Sequence, residues 1–448
     1  MKKLIDTLRN IFSIEELKNR ILLTLGLLVI FRLGSFIVLP GIDTNSLTEE
    51  SSGGILDLLN VLLGGAFNRA SVFALGIMPY ISASIVIQLL TVALPYFQRM
   101  QKEGESGRKR LNQITRWLTI LVTLGQSVAY IKGTIPANAI MVDPTFFLIS
   151  SMLILTGGTV FCMWLGEKIT DRGIGNGISM LIMIGIVSRL PGSLVAEATD
   201  KGTSGLFIFL LELVALFFVV IGVVLIIQAV RRIPIQYAKQ VAGAGAKRQV
   251  MAGEQRSYIP LKVNSAGVMP IIFAQSLMFI PPLVAQAFAQ DGNTTAIYIA
   301  TVFSDFASWE YNLTFGILIL VFTFFYTAIT INTTQIADDM KQGGSFIPGV
   351  KPGEETSEYI GRILDLITFP GAIFLTLIAI MPAFARIAGI GDQFAQFYGG
   401  TSLLIMIGVV LDTLQQIEGY LLMQQYEGLM NSGTVTGRTQ NFAAQADI

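Results

Sequence analysis

The chain has 448 residues, 13% of them charged and 52% drawn from Ala, Val, Ile, Leu, Met, Phe, Trp, Tyr and Cys, with a mean hydropathy of +0.65. Soluble domains carry about 25% charged residues, so a chain this poor in charge cannot cover its own surface in water and reads as an integral membrane protein. Lys plus Arg and Asp plus Glu balance at 30 each, histidine is missing, and Cys162 is the single cysteine. Those counts exclude histidine-based acid–base and nucleophilic chemistry, imidazole metal sites, intrachain disulfides and CxxC redox or zinc motifs.

From the N-terminus, Leu4, Leu8, Ile11, Leu17 and Ile21 recur at helical spacing among Lys2, Lys3, Asp6, Arg9, Glu15, Glu16 and Lys18. The pattern predicts an amphipathic helix over 1–20 lying on the cytoplasmic interface rather than a cleaved signal. Ten apolar runs long enough to cross about 30 Å of hydrocarbon follow. They lie near 21–38, 72–94, 117–136, 145–165, 174–194, 205–228, 267–289, 313–331, 366–384 and 401–417.

Between the first two runs stands Gly53-Gly54-Ile55-Leu56-Asp57-Leu58-Leu59-Asn60-Val61-Leu62-Leu63-Gly64-Gly65, too short to span and bracketed by glycine pairs that permit a hinge. It is either a re-entrant surface loop or a movable stopper. The second and seventh runs carry matching interruptions, Ile77-Met78-Pro79-Tyr80-Ile81 and Val268-Met269-Pro270-Ile271-Ile272. Each proline removes an amide donor and favours a kink or a helix start. Broken helices second of five in each of two halves point to an inverted-topology repeat with its functional seam between them. Two motifs mimic soluble or proteolytic chemistry without its context. Gly173-Ile174-Gly175-Asn176-Gly177 has no preceding strand and reads as a tight turn. Gly389-Ile390-Gly391-Asp392 has no second carboxylate partner for an intramembrane protease.

Basic residues fix the orientation. The segments 1–20, 95–116, 166–173, 229–266, 332–365 and the tail hold five, six, two, seven, three and one Lys or Arg. The other side holds Arg69, Lys132, Arg189, Lys201 and Arg386, with Arg32 inside the first run. The positive-inside rule therefore places both termini and the long connections 229–266 and 332–365 in the cytoplasm. The chain divides into a first half, 21–194, a second half, 205–417, and a cytoplasmic tail, 418–448.

Seven stretches in order resemble the SecY-type protein-conducting channels, the large subunit of the general secretory translocon. They are Leu39-Pro40-Gly41-Ile42-Asp43, residues 74–85 (ALGIMPYISASI), 101–108 (QKEGESGR), 164–179 (WLGEKITDRGIGNGIS), 260–264 (PLKVN), 346–354 (FIPGVKPGE) and 399–405 (GGTSLLI). The resemblance covers almost the whole chain. It implies an all-α membrane protein of ten transmembrane helices in two inverted five-helix halves around a central pore. Carried over position by position, the pore waist is Ile81, Ile85, Ile178, Ile182, Ile272 and Ile405. Within each pair the i, i+4 spacing presents one face, and a ring of branched aliphatics dewets a constriction.

The same resemblance makes residues 53–68 the plug, including Ile55, Leu56, Leu58, Leu59, Val61, Leu62, Leu63, Gly64 and Gly65. It makes the seam between the second and seventh runs a lateral gate to lipid, with polar contacts expected from Ser82, Ser84, Gln88, Asn264 and Gln275. The two cytoplasmic connections become the dock for a ribosome, through its RNA, and for a SecA-type ATPase motor. The basic candidates there are Arg231, Arg232, Lys239, Lys247, Arg248, Arg256, Lys262 and Lys351. Lys351 stands where the family usually has arginine, keeping the charge but losing the planar fork.

SecE-like and SecG-like small membrane subunits, unfolded secretory and membrane polypeptides and lipid are the implied partners, in the plasma (inner) membrane of a bacterium. No cofactor, metal or enzymatic activity is expected. The alternative is a secondary transporter with a small-molecule site at the midplane, which requires polar coupling residues deep in the spans; Glu212 and Asp412 are the spanning carboxylates on these boundaries.

Overall fold

The computed structural model describes residues 14–43, 63–135, 137–202, 205–237, 257–278 and 294–432, together with 281 and 285. Helix α1 is Glu15–Gly34, α2 Met78–Ala93, α3 Pro95–Lys102, α4 Glu105–Thr134, α5 Pro144–Arg172, α6 Gly177–Lys201 and α7 Leu206–Gln228. After strands β1 (Val230–Tyr237) and β2 (Ser257–Lys262) come α8 (Met269–Met278), α9 (Thr294–Ser304), α10 (Trp309–Thr330) and α11 (Thr333–Gln342). Strand β3 (Ser345–Phe346), α12 (Glu354–Ile387), the single turn α13 (Asp392–Ala395) and α14 (Gly400–Ser432) complete the order.

Among the described residues seven helices are long and apolar enough to cross a membrane, eight if α2 and α3, bent by 98°, form one broken span. Helix α8 is apolar but short, ten residues, and lies within the seventh sequence run. The bend between α2 and α3 has a local cause: Leu94 is extended and Pro95, at the start of α3, cannot continue the helix.

Helices pack in two groups. In one, α1 touches α5 and α6, α2 touches α4, and α4 touches α5; in the other, α10 packs between α8 and α12. Helix α14 joins them, contacting α6, α7 and α12. The largest buried cluster draws on α1, α2, α5, α6, the α13 region and α14; a second is built from α7, α8, α10, α12 and α14. Much of the outer surface is apolar. In α7 only Glu212 and Val223 are buried, while Leu206, Phe207, Leu211, Phe217 and Phe218 are exposed, as lipid-facing side chains are.

Two helix boundaries differ from the sequence reading. Helix α1 runs unbroken across residue 20, with Leu17 at 1% exposure, so the amphipathic start and the first apolar run share one helix from Glu15 on; residues 1–13 lie outside the described set. Helix α14 passes residue 417 and continues to Ser432. The fold is also not purely helical. Strands pair in the order β2-β1-β3, both pairs antiparallel, with Arg231 opposite Leu261, Ile233 opposite Ile259 and Gln236 opposite Phe346. The described parts of the two long connections therefore pack together. Ile233, Ile235 and Leu261 from the sheet share a core with Met340 of α11, Ile347 and Ile360 of α12. The alternation Ile233-Pro234-Ile235, buried-exposed-buried, is the strand signal; Pro234 in its middle disguises it.

A close backbone approach in the first group sits between α5 and α6. A Cβ on Gly177 would lie 2.0 Å from the Gly166 carbonyl oxygen, and Asn176 Oδ1 accepts from the amides of Ile178 and Ser179, 3.1 and 3.4 Å away. Gly177→Ala is expected to destabilise the purified protein by about 2 kcal/mol or more, and Asn176→Ala by about 1 kcal/mol through loss of the cap. Thermal unfolding in detergent measures both; unchanged midpoints for Gly177→Ala would contradict the packing.

Candidate functional site

Four helices begin inside the molecule, and their first turns meet. Helix α2 starts at Met78-Pro79 after a run of turns, with Gly76 at φ +50. Helix α6 starts at Gly177 under the Asn176 cap. Helix α8 starts at Met269-Pro270, two residues after Gly267 at φ +65, and α14 starts at Gly400 at φ +63. Ile81, Ile178, Ile272 and Ile405 lie within the first two turns of these helices, and Ile85 and Ile182 follow one turn after their partners.

All six isoleucines fall in one apolar cluster: Ile81, Ile182 and Ile405 are buried in it, and Ile85, Ile178 and Ile272 pack against it half-buried. Val268, Met183, Ile184 and Leu27 surround them. A set of branched aliphatics converging from four helices can close a narrow passage to water and ions, and it offers no hydrogen bond to hold a chain passing through.

Polar groups are kept off this cluster. Ser82 Oγ donates to the Met78 carbonyl, 3.2 Å, and Gln88 Nε2 to Ser84 Oγ, 3.3 Å, both within α2. Among the described residues none of these three makes a hydrogen bond to α8; a serine in a helix finds the carbonyl one turn back first. Gln275 of α8 is buried and accepts from Thr401 Oγ1 of α14, 2.7 Å. It therefore ties α8 to α14, the two helices that carry Ile272 and Ile405. Asn264 is buried at the foot of α8, and its Oδ1 has no hydrogen-bond partner among the described residues.

Of the plug residues, Leu63, Gly64 and Gly65 are described; Ile55, Leu56, Leu58, Leu59, Val61 and Leu62 lie outside the described residues. Leu63 is buried in a cluster with Leu39, Ala66, Phe67, Ala70, Tyr130 and Phe147. The segment is held by the bond from the Leu39 amide to the Ala70 carbonyl, 2.9 Å, and by the Tyr130 hydroxyl donating to the Phe67 carbonyl. Of the docking cations, Lys239, Lys247, Arg248 and Arg256 lie outside the described residues. Arg231, Arg232 and Lys262 are exposed on adjacent strands β1 and β2, with Lys262 opposite Val230. Lys351 is exposed and pairs with Glu355, 3.3 Å away in the first turn of α12.

One cluster was not anticipated. Lys201 at the end of α6 bridges Glu197, 3.3 Å, and Glu212 of α7, and Glu197 accepts from the Gly391 amide, 3.0 Å. Tyr398 donates to the Glu212 carbonyl. The Gly389–Asp392 motif is thus a bracing loop: Gly391 binds Glu197, and Asp392 pairs with Arg386, 2.8 Å. The i, i+4 spacing of Glu197 and Lys201 was the available signal. Glu212 is committed to this brace, and Asp412 is exposed, which leaves the described spans without the midplane coupling carboxylate that a transporter requires.

The family model SecY matches residues 71–414. The protein translocase subunit SecY of Escherichia coli strain K12 is 41% identical over 436 residues, 95% of this chain and 96% of that protein. Among solved structures, a protein conducting channel aligns over 93% of this chain and 95% of its own at TM-score 0.64 and 16% identity. Sec61 in the canine ribosome-channel complex from the endoplasmic reticulum aligns over the same shares at TM-score 0.60 and 15% identity. Those two similarities are of fold.

The Gln275–Thr401 bond is the polar link between two ring-bearing helices. A double-mutant cycle of Gln275→Leu and Thr401→Val is expected to return a coupling of about 0.6–1.7 kcal/mol in thermal or denaturant unfolding, and additive effects would show that the two side chains act separately.

Proposed function

This chain belongs to the SecY family and is a protein-conducting channel of a multi-pass bacterial membrane protein, and we propose that its waist is the ring Ile81, Ile85, Ile178, Ile182, Ile272 and Ile405. The observation that carries the reading is the convergence of these six side chains from four helices in one apolar cluster. Unfolded secretory polypeptide passes through it, and apolar segments leave sideways into lipid. The seam between α2 and α8 is the proposed exit. Its helices share little direct packing, and Ser82, Ser84, Gln88 and Gln275 bond elsewhere, so no strong contact among the described residues has to break for a hydrophobic segment to part them.

We read the ten apolar runs as ten spans in two inverted halves, with both termini in the cytoplasm of the inner membrane, and the segment around 53–68 as the plug. The chain itself is a passive conduit. The energy comes from an elongating ribosome or a SecA-type motor, which docks on the platform formed by β1–β3 and α11. Arg231, Arg232 and Lys262 supply the cationic face there, suited to RNA phosphates or to acidic protein, with Lys239, Lys247, Arg248, Arg256 and Lys351 nearby in sequence or fold. The ribosome partnership accords with the fold shared with a ribosome-bound channel. SecE-like and SecG-like subunits complete the assembly.

A photo-crosslinking residue at Ile405 is expected to capture a stalled secretory chain, and one at the exposed Phe217 of α7 is not. Silence at all six ring positions, in membranes where the channel is folded and active, would overturn the assignment of the waist. Asn264→Leu removes a buried carbonyl oxygen that has no partner among the described residues, which relieves a desolvation cost of about 1–3 kcal/mol. It is expected to shift the hydrophobicity at which a test segment enters lipid rather than crossing. An unchanged threshold in a graded Leu/Ala series would remove Asn264 from the gate.

A further inference from the structure

The turn Gly173–Gly177 is gripped from three sides, and each of its glycines meets a different helix. A Cβ on Gly173 would collide with Thr24 Oγ1 of α1, and one on Gly177 with the Gly166 carbonyl oxygen of α5. One on Gly175 would stand 3.1 Å from Thr413 Oγ1 of α14. Gly175 itself sits at φ +81, a conformation that side chains rarely adopt. The same three helices take up the amides of the turn. The Ile174 amide donates to Thr24 Oγ1 at 3.1 Å, and that hydroxyl donates to the Arg20 carbonyl at 2.9 Å. The Gly175 amide donates to Gln416 Oε1 of α14 at 2.9 Å, and the Gly177 amide to Thr170 Oγ1 of α5 at 2.9 Å. The guanidinium of Arg20 lies 5.2 Å from the ring centroid of Tyr420, so α1 and α14 also meet beside the turn.

Ile178 and Ile182 follow this turn directly, at the start of α6. On α14, Ile405, Val409, Thr413 and Gln416 recur at helical spacing and share one face. That face enters the apolar cluster of the isoleucines at Ile405 and Val409 and reaches the turn at Thr413 and Gln416. About 16 Å of continuous helix separates Ile405 from Gln416. A helix does not stretch over that length, so fastening Gln416 to Gly175 sets the depth of Ile405 against Ile178 and Ile182. We propose that Gln416 is a positioning residue for the waist, with Thr24 as the second anchor of the turn. Gln416 fixes the register of α14 against α6, and Thr24 ties the same turn to α1, so the last helix is held against the first half of the chain. The positioning role rests on the waist proposed above; the clasp at the turn does not.

The test measures the resting ion conductance of the channel complex in planar bilayers, with thermal midpoints in detergent as the check on folding. Gln416 is exposed, so Gln416→Leu removes the acceptor without disturbing a core. Gln416→Leu and Thr24→Val are each expected to raise the conductance about two- to tenfold, the weight of one hydrogen bond in an equilibrium between sealed and leaking states. Gln416→Glu keeps an acceptor for the Gly175 amide and is expected to hold the wild-type value. If Thr24→Val fails to fold, the two Gln416 variants carry the test. Ile405→Ala, which shortens a ring side chain, is the control on the waist. Raised conductance in Ile405→Ala beside a wild-type value in Gln416→Leu overturns the positioning role and leaves the waist standing. Gln416→Glu leaking as much as Gln416→Leu also overturns it, since the bond to Gly175 is then not the cause. Wild-type conductance in Ile405→Ala overturns the waist and the positioning role together.

Discussion

A backbone passing through hydrocarbon must satisfy every amide and carbonyl within the protein, and the four interior helix starts are where this chain meets that demand without a continuous helix. A helix start leaves amides without intrahelical partners. At α2 and α8 the early position is proline, which has no amide to leave. The residues just before α2 are closed by a staircase of turns, with bonds from Ala74 to Ser71, Gly76 to Phe73 and Met78 to Leu75, at 2.9 to 3.2 Å. Before α8 the Gly267 amide reaches the Asn264 carbonyl and both Ile271 and Ile272 reach Val268. At α6 the side chain of Asn176 takes two amides itself. Proline, glycine and asparagine at these positions are a single solution to one constraint.

The ring follows from that solution. A helix that begins within the molecule can direct its first turns at the centre while its later turns meet lipid, as α2 does between buried Ile81 and exposed Val86 and Val92. Six aliphatic side chains from four such starts meet without needing to pair, so none specifies a partner. The polar groups nearby are spent within their own helix or, for Gln275 and Thr401, on fastening two ring helices to each other.

What the sequence made legible was what a local rule governs. Apolar runs, the two prolines and the Gly173–Gly177 turn each leave a mark within a few residues, and their helices and starts lie where those marks are. The proposed ring positions came only from family resemblance, because an isoleucine in an apolar helix carries no mark of the direction it faces. The sheet was hidden because β1 and β3 lie more than a hundred residues apart in the chain and Pro234 interrupts the strand pattern. The brace of Lys201 with Glu197, Glu212 and the Gly391 amide joins three separate segments, so composition could count its charges but could not bring them together.

The cytoplasmic platform bears on the ring through the chain itself. Strand β1 leaves α7 after Ala229, and β2 returns to α8 through Val263, whose amide donates to the Ala229 carbonyl at 2.9 Å. The two strands thus enter and leave the membrane body as one hydrogen-bonded pair. Helix α12 belongs to both regions: Ile360 and Leu375 of the same helix are fully buried, the first in the platform core and the second in the membrane core. It also lies against the return path, since a Cβ on Gly371 would sit 2.9 Å from the Val263 carbonyl oxygen. Between β2 and α8 stand only the six residues from Val263 to Val268, with Asn264 and Ala266 buried. Helix α8 starts there, where Pro270 has no amide to anchor the helix to the turn before it, and Ile272 stands two residues further on. Strand β2, which carries Lys262 and pairs with the strand of Arg232, thus leads directly into the helix that carries Ile272 of the proposed waist and one face of the proposed exit.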